Sequence, residues 1–177
     1  MGNNKKKDKK NKFNKKKLQI KQKRYLNMIK TFSDLPTLVS EDVQKEDDLN
    51  FVEDMKKILH YAKNGVGLAA IQIGISKRIF VTDFQNNSNL KVFINPVLLK
   101  TSDNKIVDQE GCLSFPGVFT DVERFDKIWV RYLDEDFNEK EDCLKDFNAR
   151  VWLHEFDHLD DICHVRGKYL DSLANEV

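Results

Sequence analysis

The sequence predicts an α+β fold in which antiparallel β-sheets pack around one central helix that carries a metal-binding motif. Three observations predict it. Residues Lys127 to Leu133 alternate, with Ile128, Val130 and Tyr132 on one face and Trp129, Arg131 and Leu133 on the other, the period of a strand. Two shorter runs, Arg78–Asp83 and Val92–Ile94, face each other across a polar loop, Gln85–Asn89, and read as a hairpin. From about Phe147 to Leu159 the period changes to that of a helix, with Ala149, Trp152, Phe156 and Leu159 as its core stripe. Strands followed by one buried helix argue for segregated α and β elements. A chain of 177 residues is one domain, long enough to bury a real core, and no internal repeat is visible.

Charge divides the chain in two. Residues 1–27 hold 12 Lys/Arg and one acid, Asp8, a charge of +11; the total of +1 leaves −10 for residues 28–177. The tail is Lys- and Asn-rich with few apolar residues, so it is expected to be disordered in isolation. Such an arm suits a polyanion, RNA or the ribosome, or an anionic membrane surface; the plain alternative is a solvated tail with no defined role. Gly2 is followed by Lys6 where myristoylation wants Ser or Thr. The tail's charge would suit an organellar transit peptide, but its composition lacks the usual Ser and Arg richness. No run is apolar enough for a membrane span, and the expected setting is a cytoplasm, bacterial or phage-infected. Three cysteines, an odd number, argue against a disulfide framework.

Within residues 28–177, Ile29 to Val52 reads as an extended lead-in with a turn near Asp34-Leu35-Pro36. Phe51, Met55, Ile58, Leu59 and Ala62 recur at helical spacing from Asp47 or Asp48 onward, and Asn64-Gly65 ends that helix. His60 on it reads as a histidine without chemistry. The apolar stretch Gly65-Val66-Gly67-Leu68-Ala69-Ala70-Ile71-Gln72-Ile73-Gly74 carries a single polar side chain, Gln72, and glycines that would let backbone approach a ligand. Asn95-Pro96 closes the strand at Val92–Ile94. Glu110-Gly111-Cys112-Leu113-Ser114-Phe115-Pro116-Gly117 reads as a sharply placed loop, and a short strand is expected around Cys143-Leu144, with the Cys143 thiol buried.

Chemistry concentrates in His154-Glu155-Phe156-Asp157-His158. On a helix, residues four apart lie one above the other, so His154 and His158 aim at one point, a spacing known from zinc metalloproteases. Glu155 beside them is placed to handle a proton from an activated water. A catalytic metal needs a third protein ligand and an open position. Cys112 is the foremost candidate; Cys143, Cys163 and His164 are its rivals, and a lone cysteine is more often structural.

Taken together, the blocks Gly65–Gln72, Glu110–Ser114 and His154–Leu159 resemble, in content, order and spacing, peptide deformylase over roughly residues 29–165. The resemblance implies removal of the formyl group from N-terminal formylmethionine of nascent peptides. It implies Cys112, His154 and His158 as ligands of one divalent metal, Fe²⁺ foremost, with Zn²⁺, Ni²⁺ or Co²⁺ also accommodated. It further implies Glu155 as general base and then acid, with Gln72 and the Leu113 N–H stabilising the oxyanion. Val66 and Val151 would line the methionine pocket, and the Val66–Gly67 and Gly111 segments would pair with the peptide backbone; plain core packing is the rival reading of both valines. Arg124 resembles the arginine that pairs with Asp157. Three departures stand out: Leu153 where the family has Gln, Asp161 where it has Gly, and no long C-terminal helix. The competing readings are an HExxH metalloprotease and a non-catalytic relative held on RNA or ribosomes by its tail.

Overall fold

The computed structural model describes residues 2–84 and 90–174, the side chains of 2–10 and 13 excepted; the expected loop Gln85–Asn89 lies outside them. Among the described residues there are four α-helices, α1 (Gly2–Leu26), α2 (Phe51–Tyr61), α3 (Asp146–Leu159) and α4 (His164–Ala174). The strands among the described residues are β1 (Gly67–Ala69), β2 (Ile79–Asp83), β3 (Leu90–Thr101), β4 (Lys105–Cys112), β5 (Phe115–Phe125), β6 (Lys127–Leu133) and β7 (Glu139–Lys145). They form an antiparallel five-stranded sheet of order β1-β2-β3-β6-β7 and a two-stranded sheet β4-β5. The expected α+β class holds, and short polar turns suffice between most strands because antiparallel neighbours need no crossover.

The central strands are buried on both faces, which explains their continuous apolar runs. On one face Ile79, Val81, Val92 and Ile94 pack with Val52, Met55, Ile58 and Leu59 of α2. On the other, Phe80 and Phe93 join Ile128, Val130 and Tyr132 against Ala149, Trp152 and Leu159 of α3. Leu153, which stands where glutamine was expected, is buried in that second cluster. Trp152 is fully buried, edge-on to Phe80 with ring centroids 5.6 Å apart and stacked on Phe156 at 4.7 Å. Burying aromatics of this size dominates core energetics and fixes α3 on the sheet. In β6 only Ile128, Val130 and Tyr132 turn inward, as its alternation predicts.

Several expectations are corrected. Asn95-Pro96 does not close a strand: β3 runs through it with a register shift between Ile94 and Val97, and Asn95 takes a φ of 47°. Asparagine tolerates that region, and here its side chain exchanges hydrogen bonds with the Val43 backbone, at 2.8 and 2.9 Å, fastening the lead-in. Cys112 lies at the end of strand β4, not in an irregular loop, and only Leu113-Ser114 turn the chain into β5. Cys143 is exposed on β7, not buried. Apart from these corrections, Gly2–Leu26 forms α1. Its C-terminal end is held by the body: Tyr25 stacks on Tyr61 at 5.7 Å and Gln22 Nε2 donates to the Tyr61 carbonyl at 3.3 Å. Beyond α3 lies the 11-residue helix α4. Asp161, in the place expected for glycine, adopts φ 59° and pairs with Arg166 at 2.8 Å. A residue that tolerates the left-handed region thus replaces one that requires no tolerance. Among the described residues no helix is long and apolar enough to cross a membrane.

Candidate metal centre

Two elements bring the donors together. Helix α3 presents His154 and His158 on one face, ring centroids 5.1 Å apart, and the end of β4 brings Cys112 against them. Cys112 Sγ lies 3.4 Å from His158 Nε2, and the three donor atoms of Cys112, His154 and His158 fall within 4.8 Å of one another. Among the described residues Cys143, Cys163 and His164 do not join that cluster.

Burial sets the electrostatics. It pushes the His158 pKa well below its ordinary value, so the ring is neutral and its lone pair available. The Cys112 thiol is raised by its hydrogen bond with Cys163 and by burial. For His154, burial opposes the charged form, but the bond to Glu110 together with the charges of Glu155 and Glu110 outweighs it and the pKa rises. That Nδ1···Oε2 contact is 2.9 Å, so Glu110 leaves His154 Nε2 to the cluster. Glu110 is itself held by Arg124, at 2.9 and 3.0 Å, and by Arg150 Nη1 at 2.9 Å. Despite burial, the bonds to His154 and to Arg124 keep its carboxyl well below the ordinary carboxylate range. Arg124 also pairs with Asp157 at 2.5 Å, the pairing the resemblance implied.

Glu155 is 4% exposed, and among the described residues its Oε2 has no hydrogen-bond partner. Burial is the main reason its pKa is pushed up to about 7. Gly67 is what admits it: a Cβ there would stand 2.2 Å from Glu155 Oε1. Gln72 sits in the 3-10 turn Ala70–Ile73 that follows β1, 1% exposed. Its Oε1 accepts from the Ala69 N–H at 2.8 Å, which fixes the amide so that Nε2 donates toward Cys112 Sγ at 3.4 Å and Ser114 Oγ at 3.2 Å. Cys112, His154, Glu155, Gln72 and Leu113 all line one cavity of about 390 Å³, and so do Val66, Gly67, Gly111 and Val151. His158 lies behind Cys112, 3% exposed. The residues that the resemblance assigns to the metal, the proton transfer, the oxyanion and the substrate therefore lie at this cavity or, for His158, directly against it.

Sequence reasoning passed over Glu110, Ser114 and Arg150. Glu110 is two residues from Cys112, so the strand period that puts it on the same face was a usable signal once β4 was known to be a strand.

The donor set suits a divalent ion: one sulfur and two imidazole nitrogens, close together, opening on a cavity, with an unpartnered buried carboxylate alongside. By class, this α+β domain carries a candidate metal centre of the hydrolytic kind. Residues 33–169 match the family model described as polypeptide deformylase. Peptide deformylase of Pseudothermotoga lettingae is 42% identical over 128 residues, covering 71% of this chain and 72% of the relative. That of Maricaulis maris is 40% identical over 143 residues, covering 78% and 80%. The crystal structure of peptide deformylase from Thermotoga maritima superposes with a TM-score of 0.70 at 38% identity, covering 76% of this chain and 91% of that one. The Synechococcus elongatus enzyme in complex with actinonin gives 0.72 at 30%, covering 82% and 86%. The chain belongs to the peptide deformylase family and is an enzyme.

Proposed function

We propose that the chain hydrolyses the N-formyl group of formylmethionyl nascent peptides in the cytoplasm, with one divalent ion, Fe²⁺ foremost, held by Cys112, His154 and His158. Cys112, His154 and His158 would hold a divalent ion, which would supply Lewis acidity toward the formyl oxygen and water. Glu155 then takes the water's proton and later returns it to the leaving amine. A carboxylate raised to about 7 by burial is poised for both transfers near neutrality. Gln72 Nε2 and the Leu113 N–H are assigned to the developing oxyanion; losing one such donor typically costs about 10²–10³ in rate. Val66 and Val151 are assigned to the methionine side chain, and the Gly67 and Gly111 segments to the peptide backbone.

The observation that carries this reading is the juxtaposition of the three-donor cluster with the unpartnered Glu155 oxygen at one cavity. Residues 1–27 are assigned to contact with RNA phosphates, on the ribosome or elsewhere. The test is hydrolysis of formyl-Met-Ala-Ser by the Fe²⁺-loaded enzyme under anaerobic conditions. Glu155→Ala is expected to lower kcat by about 10²–10⁴-fold. Equal rates for wild type and Glu155→Ala, or cleavage of the same peptide without its formyl group, would overturn the proposal.

A further inference from the structure

The two turns assigned to the oxyanion come from different sheets, and a third segment ties them together. Gln72 lies in the turn Ala70–Ile73 after β1 of the five-stranded sheet, whereas Leu113-Ser114 follow β4 of the two-stranded sheet. Among the described residues no backbone hydrogen bond joins these two turns directly. Both are bonded instead by the lead-in after α1. The Lys30 N–H donates to the Gln72 carbonyl at 2.6 Å, and the Phe32 N–H donates to the Ser114 carbonyl at 2.9 Å. Thr31 between them is extended, φ −121° and ψ 149°, so donors two residues apart span roughly 7 Å of chain. The segment is anchored in two different cores. Ile29 packs with the cluster of Met55, Ile58 and Leu68, and Phe32 with that of Leu35, Cys112, Phe115 and Val165. The Phe32 ring lies edge-on to Phe115, centroids 5.9 Å apart, and 4.9 Å from that of Tyr169 on α4. Its backbone takes a φ of 50°, which bulky residues rarely adopt and which persists only where the surroundings enforce it.

We propose that Lys30–Phe32 is a strap that fixes the separation of Gln72 Nε2 and the Leu113 N–H, with Phe32 as its positioning residue; this rests on the assignment of those two donors to the oxyanion. Such donors serve a developing charge only when they stand about 2.7–3.1 Å from where it forms. Gln72 and Leu113 belong to different sheets, so the ladder of neither sheet sets the gap between them. The Gln72 side chain does reach across, to Ser114 Oγ at 3.2 Å and Cys112 Sγ at 3.4 Å. Those contacts engage the hydrogens of the same amide nitrogen that the oxyanion claims, so they weaken when it turns to substrate. The strap grips main-chain carbonyls and leaves both donors free. Lys30, Thr31 and Phe32 do not line the cavity, so the strap acts through the two turns and not on the substrate. Loosening it should therefore cost kcat and spare KM.

The test is a double-substitution cycle in the full chain, read by hydrolysis of formyl-Met-Ala-Ser and by amide hydrogen exchange. Phe32→Ala removes the anchoring ring and is expected to lower kcat by about 10-fold, with KM within about twofold of wild type and bound metal unchanged. In a Gln72→Ala background the same substitution should cost less than about twofold, because the donor that the strap positions is already gone. Exchange of the Ala69 N–H, which Gln72 Oε1 accepts at 2.8 Å, should quicken about 10-fold in Phe32→Ala while the amides of β3 keep their rates. Losses that simply multiply in the double variant, a rise in KM with kcat intact, or unchanged exchange at Ala69 would each sink the proposal. An inactive wild type counts against the deformylase reading, and exchange at Ala69 still decides whether the strap holds the Gln72 turn. Should Phe32→Ala not fold, Thr31→Gly carries the same test, since it loosens the strap and Thr31 belongs to neither core cluster. A kcat lowered about threefold and the same non-additivity with Gln72→Ala are expected there; an unchanged kcat overturns the proposal.

Discussion

Glu110 does for this centre what the motif residues cannot do for themselves. An imidazole has two nitrogens, and only a fixed partner on one determines what the other offers. Glu110 bonds His154 Nδ1, and Arg124 and Arg150 bond Glu110, so the ring's orientation is anchored in strands β4 and β5 as well as in its own helix. Replacing Glu110 with Gln removes the charge that balances two arginines and weakens the hold on His154. Affinity for Ni²⁺ is expected to fall by about 10–100-fold, the usual effect of losing such an outer partner. Competition against a chelator of known affinity measures it; an unchanged affinity would show that α3 alone positions the ring. Gly67 makes a separate demand. With a Cβ 2.2 Å from Glu155 Oε1, Gly67→Ala must displace the carboxylate while leaving all three donors in place. Displacements on the order of 1 Å cost about 10²-fold in rate. The variant should therefore bind metal normally and lose kcat/KM on that scale; a parallel loss of metal would place the damage in the fold instead.

At the scale of elements, β6 and β7 show how the sheet tolerates a polar group under α3. Tyr132 turns inward and donates its hydroxyl to Asp142 at 2.8 Å, and Lys91 of β3 reaches the same carboxylate at 2.9 Å. Burial, then Asp142, push the Tyr132 pKa well above its ordinary value of 10. The folded state thus keeps a proton that the unfolded chain gives up. The stabilisation is whole below pH 10 and is lost as pH climbs from there toward the folded value. The thermal midpoint of wild type should drop more steeply above that pH than that of Tyr132→Phe; parallel slopes would rule the linkage out. The same elements show what the sequence made legible. Helix α3, the two strand runs before it and the alternation of β6 were readable because each has one clean period set by burial. The Cys112 segment was not. Gly111, Pro116 and Gly117 mark a loop by composition, yet the ladder to β5 continues to Cys112, which pairs with Phe115. Pairing across a hairpin outweighs local preference. Cys143 was misread for a related reason: a two-stranded signal does not say which face of an edge strand meets the core, and β7 lies at the sheet's edge.

On the scale of the whole molecule, charge separates what the fold joins. Residues 1–27 carry +11 on a body of −10, and α1 is tied to that body near its C-terminal end through Gln22 and Tyr25. Its sequence gives it no apolar face, since lysines occur on all sides of the helix. A helix embedded in a membrane surface needs a wide apolar face, which this one lacks. A polyanion needs only density of positive charge, and the acidic body repels phosphates everywhere else. Binding to RNA should therefore be carried by the arm and fall steeply with salt, log K losing about 0.7–0.9 per decade of salt for each phosphate neutralised. Replacing Lys15, Lys16 and Lys17 with Glu changes the arm's charge from +11 to +5 and should flatten that slope, with hydrolysis of a free formylated tripeptide unchanged. Salt-titrated RNA association of the two full-length chains decides it. If the slopes coincide, the arm is a solvated appendage; if tripeptide hydrolysis falls as well, α1 serves the active site through α2 and not a distant partner.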